Sequence, residues 1–420
     1  MTQTVVILGA GFAGLPLAHK LLKASNTTRS SSDNSDAYAS SEAVKIVLVS
    51  PNSHFYWNVA APRGIIPGEI AEDDIFLPIA PTFARYAADE FEFILGAATA
   101  VEPKLNVVRV RLSGSEGGES GGGRDVAVAY DQLVIATGSR LISGLPLKPV
   151  GTHETNLAQL RELQSQIERA GSIVIAGGGP TGVEVAGELA AKYGQTKTIT
   201  LVENSDRVLY DAMPAVRAAA ERDLLKLGVK FVYNNRATVS SDPLPPPQPG
   251  PDDETKKKQQ QQQTEVHLSK GGTLMTDLFL PLYGVVVNTS FLPADFLDWE
   301  GNLKLQPDMR VLGTSNVWGL GDVGNLDPKQ LAVLDAQILH LATALACILT
   351  SDSGAETETC AYRLGQKQVR FFSMGRRHAT GSIGSWKVPG FVVALIKGRK
   401  LLVDYAPGYV SGQGMMGTGV

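Results

Sequence analysis

Short apolar runs alternate along this chain with segments whose apolar positions recur every three to four residues. Val5–Leu8 is such a run; a glycine-rich turn follows it, and then the periodic segment Leu15–Leu22. Two further runs, Val44–Val49, interrupted only by Lys45, and Leu133–Ala136, read as strands. The theme then restarts with Ile173–Ala176, a second glycine-rich turn, the periodic segment Val183–Lys192 and the run Thr198–Val202. Strands alternating with helices predict an α/β fold with parallel, doubly wound sheets. One unit begun twice, about 170 residues apart, predicts two such domains and not one large one.

Three segments interrupt the pattern. Residues 25–42 are rich in Ser, Asn and Asp, and residues 113–124 in Gly, Ser and Glu. Residues 242–263 run through prolines, acids, a Lys triplet and a run of glutamines. Each is too polar to offset its own ordering entropy, so each is expected to be a disordered surface insertion. With these set aside, residues 1–148 and 288–350 are expected to form one domain and residues 149–287 a second. Residues 351–420 are expected to form a small C-terminal α+β region.

Both glycine-rich turns have the spacing G-x-G-x-x-G between a strand and a helix, the mark of a Rossmann-like dinucleotide-binding unit. The first is Gly9-Ala10-Gly11-Phe12-Ala13-Gly14. Gly9 permits the tight turn, Gly11 lets a pyrophosphate approach the backbone, and Gly14 lets helix and strand pack closely. The helix start adds free N–H groups and a partial positive charge. The second fingerprint is Gly177-Gly178-Gly179-Pro180-Thr181-Gly182. Two dinucleotides are therefore expected.

The two units differ at the acid that normally ends the second strand and holds an adenosine ribose. In the first unit Ser50 stands there, and its hydroxyl bonds more weakly than a carboxylate. In the second, Glu203 stands about 25 residues beyond Gly177, where it can accept both ribose hydroxyls and repel a 2′-phosphate. That favours NADH over NADPH, with Arg207 working the other way. Glu184 lies in the first turn of the second helix and Glu188 one turn later on the same face. Glu184 suits the helix dipole there, or serves to orient a nicotinamide.

Composition narrows the function further. The net charge of −4 gives no reason to expect nucleic acid. The only two cysteines, Cys347 and Cys360, supply neither a disulfide framework nor a C-x-x-C redox pair, and they fit a reducing compartment. No metal site is suggested. The first apolar run begins almost at Met1, so no secretory or transit segment is expected. Thr2 also leaves no Met-Gly start for N-myristoylation. No stretch approaches the roughly 18 uninterrupted apolar residues of a spanning helix.

Two strand-like runs carry a more specific signal. Leu133-Val-Ile-Ala136-Thr137-Gly138-Ser139 ends in Ala-Thr-Gly, and Val317-Trp-Gly-Leu-Gly321-Asp322-Val323 ends in Gly-Asp. They resemble signature segments of the flavoproteins with two dinucleotide-binding domains, the glutathione-reductase-like superfamily of pyridine nucleotide-disulphide oxidoreductases. The segments His54–Arg63, Asp327-Pro-Lys329-Gln330 and Phe371–Arg376 add to this. Together they resemble the apoptosis-inducing-factor-like group, in its ferroptosis-suppressor branch.

That resemblance makes the first unit the FAD site and the second the NADH (or NADPH) site. It implies that Asp322 hydrogen-bonds the ribitol of FAD and that the N–H of Val323 faces flavin or phosphate. It further implies that Ala136, Thr137 and Gly138 border the same cofactor, that Arg63 contacts it, and that Ala98 offers backbone to the adenine. Lys329 would lie near the flavin, and Glu184 would orient the nicotinamide against it. The chain departs from its relatives at Thr2, and again at Val285-Val-Val-Asn288-Thr289-Ser290, where relatives often have Thr-Gly.

The implied activity is reduction of a quinone-type acceptor by NADH or NADPH through FAD, with no catalytic cysteine. The missing cysteines disfavour sulfide:quinone and thioredoxin reductases. Two other readings stay open: an NAD(P)H-dependent reductase of a soluble redox protein such as a ferredoxin, and a slow-turnover redox-signalling flavoprotein. Residues 388–403 mix apolar positions with Lys397, Arg399 and Lys400. Such a segment can lie on a membrane surface and admit a quinone, or pack as a strand pair or interface helix, because Gly390 and Gly398 weaken a continuous helix. Peripheral contact with a membrane such as the mitochondrial outer membrane, a cytoplasmic location and a homodimer are all compatible with the sequence.

Overall fold

Val5, Val6 and Ile7 are fully buried on β1 (Gln3–Leu8), as a strand covered on both faces requires. α1 (Gly14–Ser31) carries the chain over to β2 (Val44–Ser50), which pairs parallel with β1. The computed structural model describes residues 2–31, 43–114, 123–239, 263–350, 360–363 and 369–414. A small antiparallel pair, β3 (His54–Tyr56) and β4 (Phe76–Pro78), brackets the single-turn helices α2 (Ala61–Gly64) and α3 (Glu72–Ile75). β5 (Phe91–Glu102) runs parallel to β2 through its first half and antiparallel to β6 (Val107–Leu112) through its second. β7 (Asp125–Ala129) and β8 (Gln132–Ile135) follow, β8 lying parallel to β1 on the side away from β2.

After β9 (Ser139–Leu141) and α4 (His153–Arg169) the second unit begins. It contains β10 (Ser172–Ala176), α5 (Pro180–Tyr193), β11 (Thr198–Val202), α6 (Pro214–Lys226) and β12 (Lys230–Val232). β13 (Ala237–Val239), β14 (Thr264–Leu268) and β15 (Thr273–Thr276) form an antiparallel meander, and β16 (Leu278–Pro281) rejoins β10 in parallel. β17 (Val285–Val287) then pairs with β9 where the chain crosses back, and β18 (Val317–Gly319) returns to β8. The result is a seven-stranded sheet in the order β18-β8-β1-β2-β5-β6-β7 and an all-parallel four-stranded sheet in the order β12-β11-β10-β16. These are the two doubly wound Rossmann-like units that the sequence pattern predicts.

α7 (Leu331–Thr350) packs beside α1, with Ile338, Leu341 and Leu345 fully buried. Among the described residues it is the one helix long and apolar enough to cross a membrane by length and composition. Asp335, Gln337 and His340 interrupt it, and much of its apolar surface serves the core. The C-terminal α+β region holds the meander β19 (Val369–Met374), β20 (His378–Ile383) and β21 (Trp386–Val388). The short helices α8 (Gly390–Val393) and α9 (Ala406–Val410) complete it. Met374 packs against Gly187 of α5 so closely that a Cβ at Gly187 would collide with it.

One expectation needs correction. α1 continues to Ser31, so residues 25–31 of the first insertion are helical, and the Ser25 hydroxyl bonds back to the carbonyls of Leu21 and Leu22. Residues 32–42, 115–122 and 242–262 of the three insertions lie outside the described residues.

Candidate dinucleotide sites

The two fingerprints adopt the same backbone turn. Gly9 and Gly177 take φ of 107° and 110°, a region that side chains disfavour. A Cβ at Gly14 would run into Gly9 O, and one at Gly182 into Gly177 O, so these two glycines serve helix-on-strand packing. At Gly11 and Gly179, by contrast, a Cβ would meet open space. Nothing within the protein demands glycine there, and the open space leaves both positions free for a ligand to approach the backbone.

The first turn opens onto a cavity of about 680 Å³, within the range of small-molecule and cofactor sites. Gly9, Ala10, Gly11, Phe12 and Ala13 line one end together with Ser50, Asn52 and Ala98. Ala136, Thr137, Gly138, Gly321, Asp322 and Lys329 line another part. The strand-ending segments thus converge on one space with the first fingerprint. Ser50 is buried, and its hydroxyl accepts from the N–H of Asn52.

Asp322 is the electrostatic centre of this wall. Its Oδ2 accepts from Ser139 Oγ at 2.5 Å and from Lys148 Nζ at 2.9 Å. Burial works against ionisation of Asp322. The charge of Lys148, the Ser139 hydroxyl and the more distant Lys329 outweigh it and hold the carboxyl below its usual value. Lys329 itself donates to Asn302 Oδ1 at 2.7 Å. Gln337 fixes the loop from behind: its Oε1 accepts from Gly321 N at 2.9 Å while its Nε2 donates to Asp327 at 2.6 Å.

Asn288, at the sequence departure noted above, clamps the other segment. It donates through Nδ2 to Thr137 O (2.9 Å) and through its backbone N–H to Gly138 O, and its own carbonyl accepts from Thr137 Oγ1 (2.7 Å). Ser139, Lys148, Asn288 and Gln337 all line the cavity, and sequence reasoning singled out none of them as site residues.

Arg63, Val323 and Glu184, each expected near a cofactor, do not line this cavity. Arg63 is 1 % exposed and is bonded on all sides by protein. Its Nε and Nη2 donate to Glu188 at 2.8 Å each, Nη2 also donates to Gly398 O (2.7 Å), and Nη1 donates to Arg399 O (3.0 Å). The guanidinium therefore has little left to offer a cofactor and instead ties α2 to α5 and the C-terminal region. The Val323 side chain is fully buried in the hydrophobic core behind the loop and its carbonyl accepts from Leu303 N, neither of which bears on the backbone N–H expected to face the cofactor. Glu184 is buried under the C-terminal meander. Its Oε1 accepts from Lys397 Nζ at 2.6 Å and from Ser373 N at 3.1 Å. Lys397, read from sequence as part of a cationic surface, thus points inward.

At the second fingerprint Glu203 ends β11 half-buried and accepts from Gly178 N at very short range. Its other oxygen accepts from Ser205 N (2.8 Å) and Ser205 Oγ (2.9 Å). The carboxylate is thereby fixed beside the Gly177–Gly182 turn. Arg207 is held in a two-point pair by its neighbour Asp206, at 3.1 and 2.6 Å, which lowers the Asp206 carboxyl.

The C-terminal region leaves large apolar side chains in solvent: Trp386 is 80 % exposed, and Phe391 and Leu395 are also largely exposed.

A family model described as pyridine nucleotide-disulphide oxidoreductase matches residues 3–341. The chain is 35 % identical to oxidoreductase ptaL of Pestalotiopsis fici, over 97 % of this chain and 98 % of that one. It is 27 % identical to ferroptosis suppressor protein 1 of Homo sapiens, over 95 % and 94 %. Among solved structures it resembles the sulfide:quinone oxidoreductase of Aquifex aeolicus with a TM-score of 0.69 at 17 % identity, covering 98 % of this chain and 92 % of that one. At that identity the likeness is one of fold.

Proposed function

The chain belongs to the pyridine nucleotide-disulphide oxidoreductase family, and from that premise we propose that it passes electrons from NADH through FAD to a quinone. It is an oxidoreductase of an FAD-dependent family that draws on NAD(P)H. The observation that carries the reading is the single cavity joining the Gly9–Gly14 turn to Asp322 and Lys329. FAD is assigned to it, with its diphosphate at Gly11, its adenosine towards Ser50 and Ala98, and a ribityl hydroxyl at Asp322. When bound, the flavin supplies the two-electron exchange between nicotinamide and acceptor.

The chain's own residues hold and orient. Lys148 and Ser139 keep Asp322 ionised as an acceptor, and Asn288 fixes the Thr137–Gly138 turn. NADH is assigned to the Gly177–Gly182 turn, with Glu203 at its ribose. The domain assignment that fits is residues 1–148 and 288–350 for FAD, 149–287 for NADH and 351–420 as the C-terminal region. A quinone as acceptor is supported by the resemblance carried by the sequence motifs and by the fold shared with a sulfide:quinone oxidoreductase. It is also supported by the absence of a C-x-x-C pair, which leaves no local dithiol for a disulfide substrate. Peripheral membrane contact through residues 388–403 fits the exposed Phe391 and Leu395, with Arg399 and Lys400 nearby.

Stopped-flow reduction of the purified yellow protein by NADH and by NADPH, followed by an acceptor panel, tests this. The expected result is faster reduction by NADH and rapid reoxidation by short-chain quinones. A protein purified without flavin, or a reduced protein that short-chain quinones fail to reoxidise, overturns it.

A further inference from the structure

The helix that opens at the first fingerprint lacks one hydrogen-bonded rung. Leu15 N donates to Gly11 O at 3.2 Å and Leu17 N to Ala13 O at 3.4 Å. Between them residue 16 is proline, which has no N–H for Phe12 O. A carbonyl left without a donor away from water is costly, and the fold almost always finds one.

Here the donor comes from the far end of the chain. The Tyr409 hydroxyl in α9 donates to Phe12 O at 2.6 Å. The Tyr409 ring is 2 % exposed and packs against Phe12, Phe55 and Trp57, with centroids 5.4, 5.9 and 5.7 Å away.

The segment bearing Tyr409 is itself anchored to the first unit, through its backbone. Leu401 O accepts from Trp57 Nε1 (3.1 Å), Val410 O from His19 Nε2 (2.9 Å) and Ser411 O from Arg85 Nη2 (3.0 Å). Gly412 O accepts from Lys23 Nζ at shorter range. Gly412 lies so close to the His19 ring that a Cβ there would collide with it. His19 and Lys23 are on α1, the helix with the missing rung, and Trp57 precedes the cavity-lining residues Asn58 and Val59.

We propose that Tyr409 is a positioning residue for the first fingerprint: it supplies the hydrogen bond that Pro16 removes. Docking of residues 401–412 thereby sets how tightly the Gly9–Gly14 turn holds its dinucleotide. The inference rests on the assignment of FAD to this cavity. It adds that the cavity is finished from behind by the last described segment of the chain.

The test uses the purified holoprotein. Tyr409→Phe keeps the ring and its packing and removes only the donor. FAD release after dilution, followed by flavin fluorescence, is expected to be about five- to tenfold faster, the equivalent of one lost hydrogen bond. The gain in Tm on adding excess FAD is expected to shrink, while the KM for NADH moves less than about twofold. Pro16→Ala restores an N–H at residue 16, so Pro16→Ala/Tyr409→Phe is expected to release FAD at close to the rate of Pro16→Ala alone. A purely structural role for Tyr409 would lower the stability of apoprotein and holoprotein alike and would not be rescued at residue 16.

If Tyr409→Phe does not fold, Lys23→Met/Arg85→Met, which loosens the segment without touching Phe12, is read in the same assay and must also speed release. Wild-type release rates in that pair, or in Tyr409→Phe, overturn the proposal, as does a Tyr409→Phe defect that Pro16→Ala leaves unrepaired. A wild-type protein that binds no FAD overturns the cavity assignment and this inference with it. Equal retention of FAD by wild type and Tyr409→Phe overturns this inference alone.

Discussion

Replacing Arg63 by methionine separates two accounts of that residue. The resemblance implies a cofactor contact, whereas the structure buries the guanidinium against Glu188 and two backbone carbonyls. Methionine keeps much of the side-chain volume and removes the charge and every donor. The Glu188 side chain, 4 % exposed, is then left as an unpaired carboxylate. Breaking a buried pair from one side costs about 3–5 kcal/mol, and the Gly398 carbonyl loses a donor as well, while Arg399 O keeps Arg376 Nη1. A loss on the order of 5 kcal/mol, at about 1 °C per kcal/mol for a chain of 420 residues that unfolds as one unit, lowers Tm by roughly 5 °C. Thermal unfolding followed by circular dichroism, with and without added FAD, measures it. Arg63→Met/Glu188→Met removes both charges, and most of the ion-pair loss is expected to return, because apolar replacements of buried pairs are near neutral. The reasoning is refuted if Arg63→Met melts within about 2 °C of wild type while its FAD affinity collapses. The arginine would then serve the cofactor directly.

Three further outcomes follow from the charges. Burial holds His19 down at about 4, with Arg85 and Lys23 adding to it and the Val410 carbonyl opposing. The unfolded chain therefore takes up the proton first, and stability is lost as pH falls from about 6.5 to 4, by up to roughly 3 kcal/mol. His19→Gln should flatten that acid limb in pH-resolved melts, and an unchanged limb refutes the assignment. Lys148→Met removes a main force holding the Asp322 carboxyl down. The stability that the ionised Asp322 contributes is lost as pH falls through its folded pKa, so in the variant that loss sets in at higher pH. FAD affinity is expected to fall about tenfold, most steeply on the acid side, and titrations at two pH values check both. Asp206→Ala frees Arg207 for a 2′-phosphate; the ratio of kcat/KM for NADPH over NADH is expected to rise by about three- to tenfold. A flat ratio shows that Arg207 does not face the ribose.

What could be read from sequence was what local sterics impose. A turn at φ near 110° between a parallel strand and a helix constrains the first and last glycines of a six-residue fingerprint, and it does so twice. The alternation of apolar runs and periodic segments gave both sheets for the same local reason. The network around Asp322 was not readable in that way. Lys148 and Asp322 are 174 residues apart, and Thr137 and Asn288 are 151 apart, so no window of sequence contains both members of either pair. Asn288 is instructive: its departure from relatives is visible in the sequence, but its meaning lies in two carbonyls of the distant Thr137–Gly138 turn. Arg63 and Glu184 differ again. Their motifs were recognised, but each is bonded to a C-terminal region whose glycines and short elements carry no clear period.

That region is hard to read because of how it is attached. Gly398, Arg399, Leu401, Val410, Ser411 and Gly412 all engage the rest of the fold through their carbonyl oxygens. A carbonyl is present whatever the side chain, so the residues that accept leave no mark in the sequence. The donors do leave one, as Arg63, Trp57, His19, Arg85 and Lys23, but each has a plausible role elsewhere when seen alone. Tyr409 is the exception, a side chain reaching out of the segment, and its partner is legible only by noticing that Pro16 cannot supply the N–H that Phe12 O needs. Apart from the buried Leu401, Ala406, Tyr409 and Val410, residues 398–412 should therefore tolerate side-chain changes more readily than changes of backbone geometry. Leu401 and Leu402 already sit at φ of 52° and 57°, a conformation that non-glycine residues hold only when their surroundings fix it. The donors on the first unit are what fix it, so the segment that finishes the first cavity is shaped by the unit it finishes.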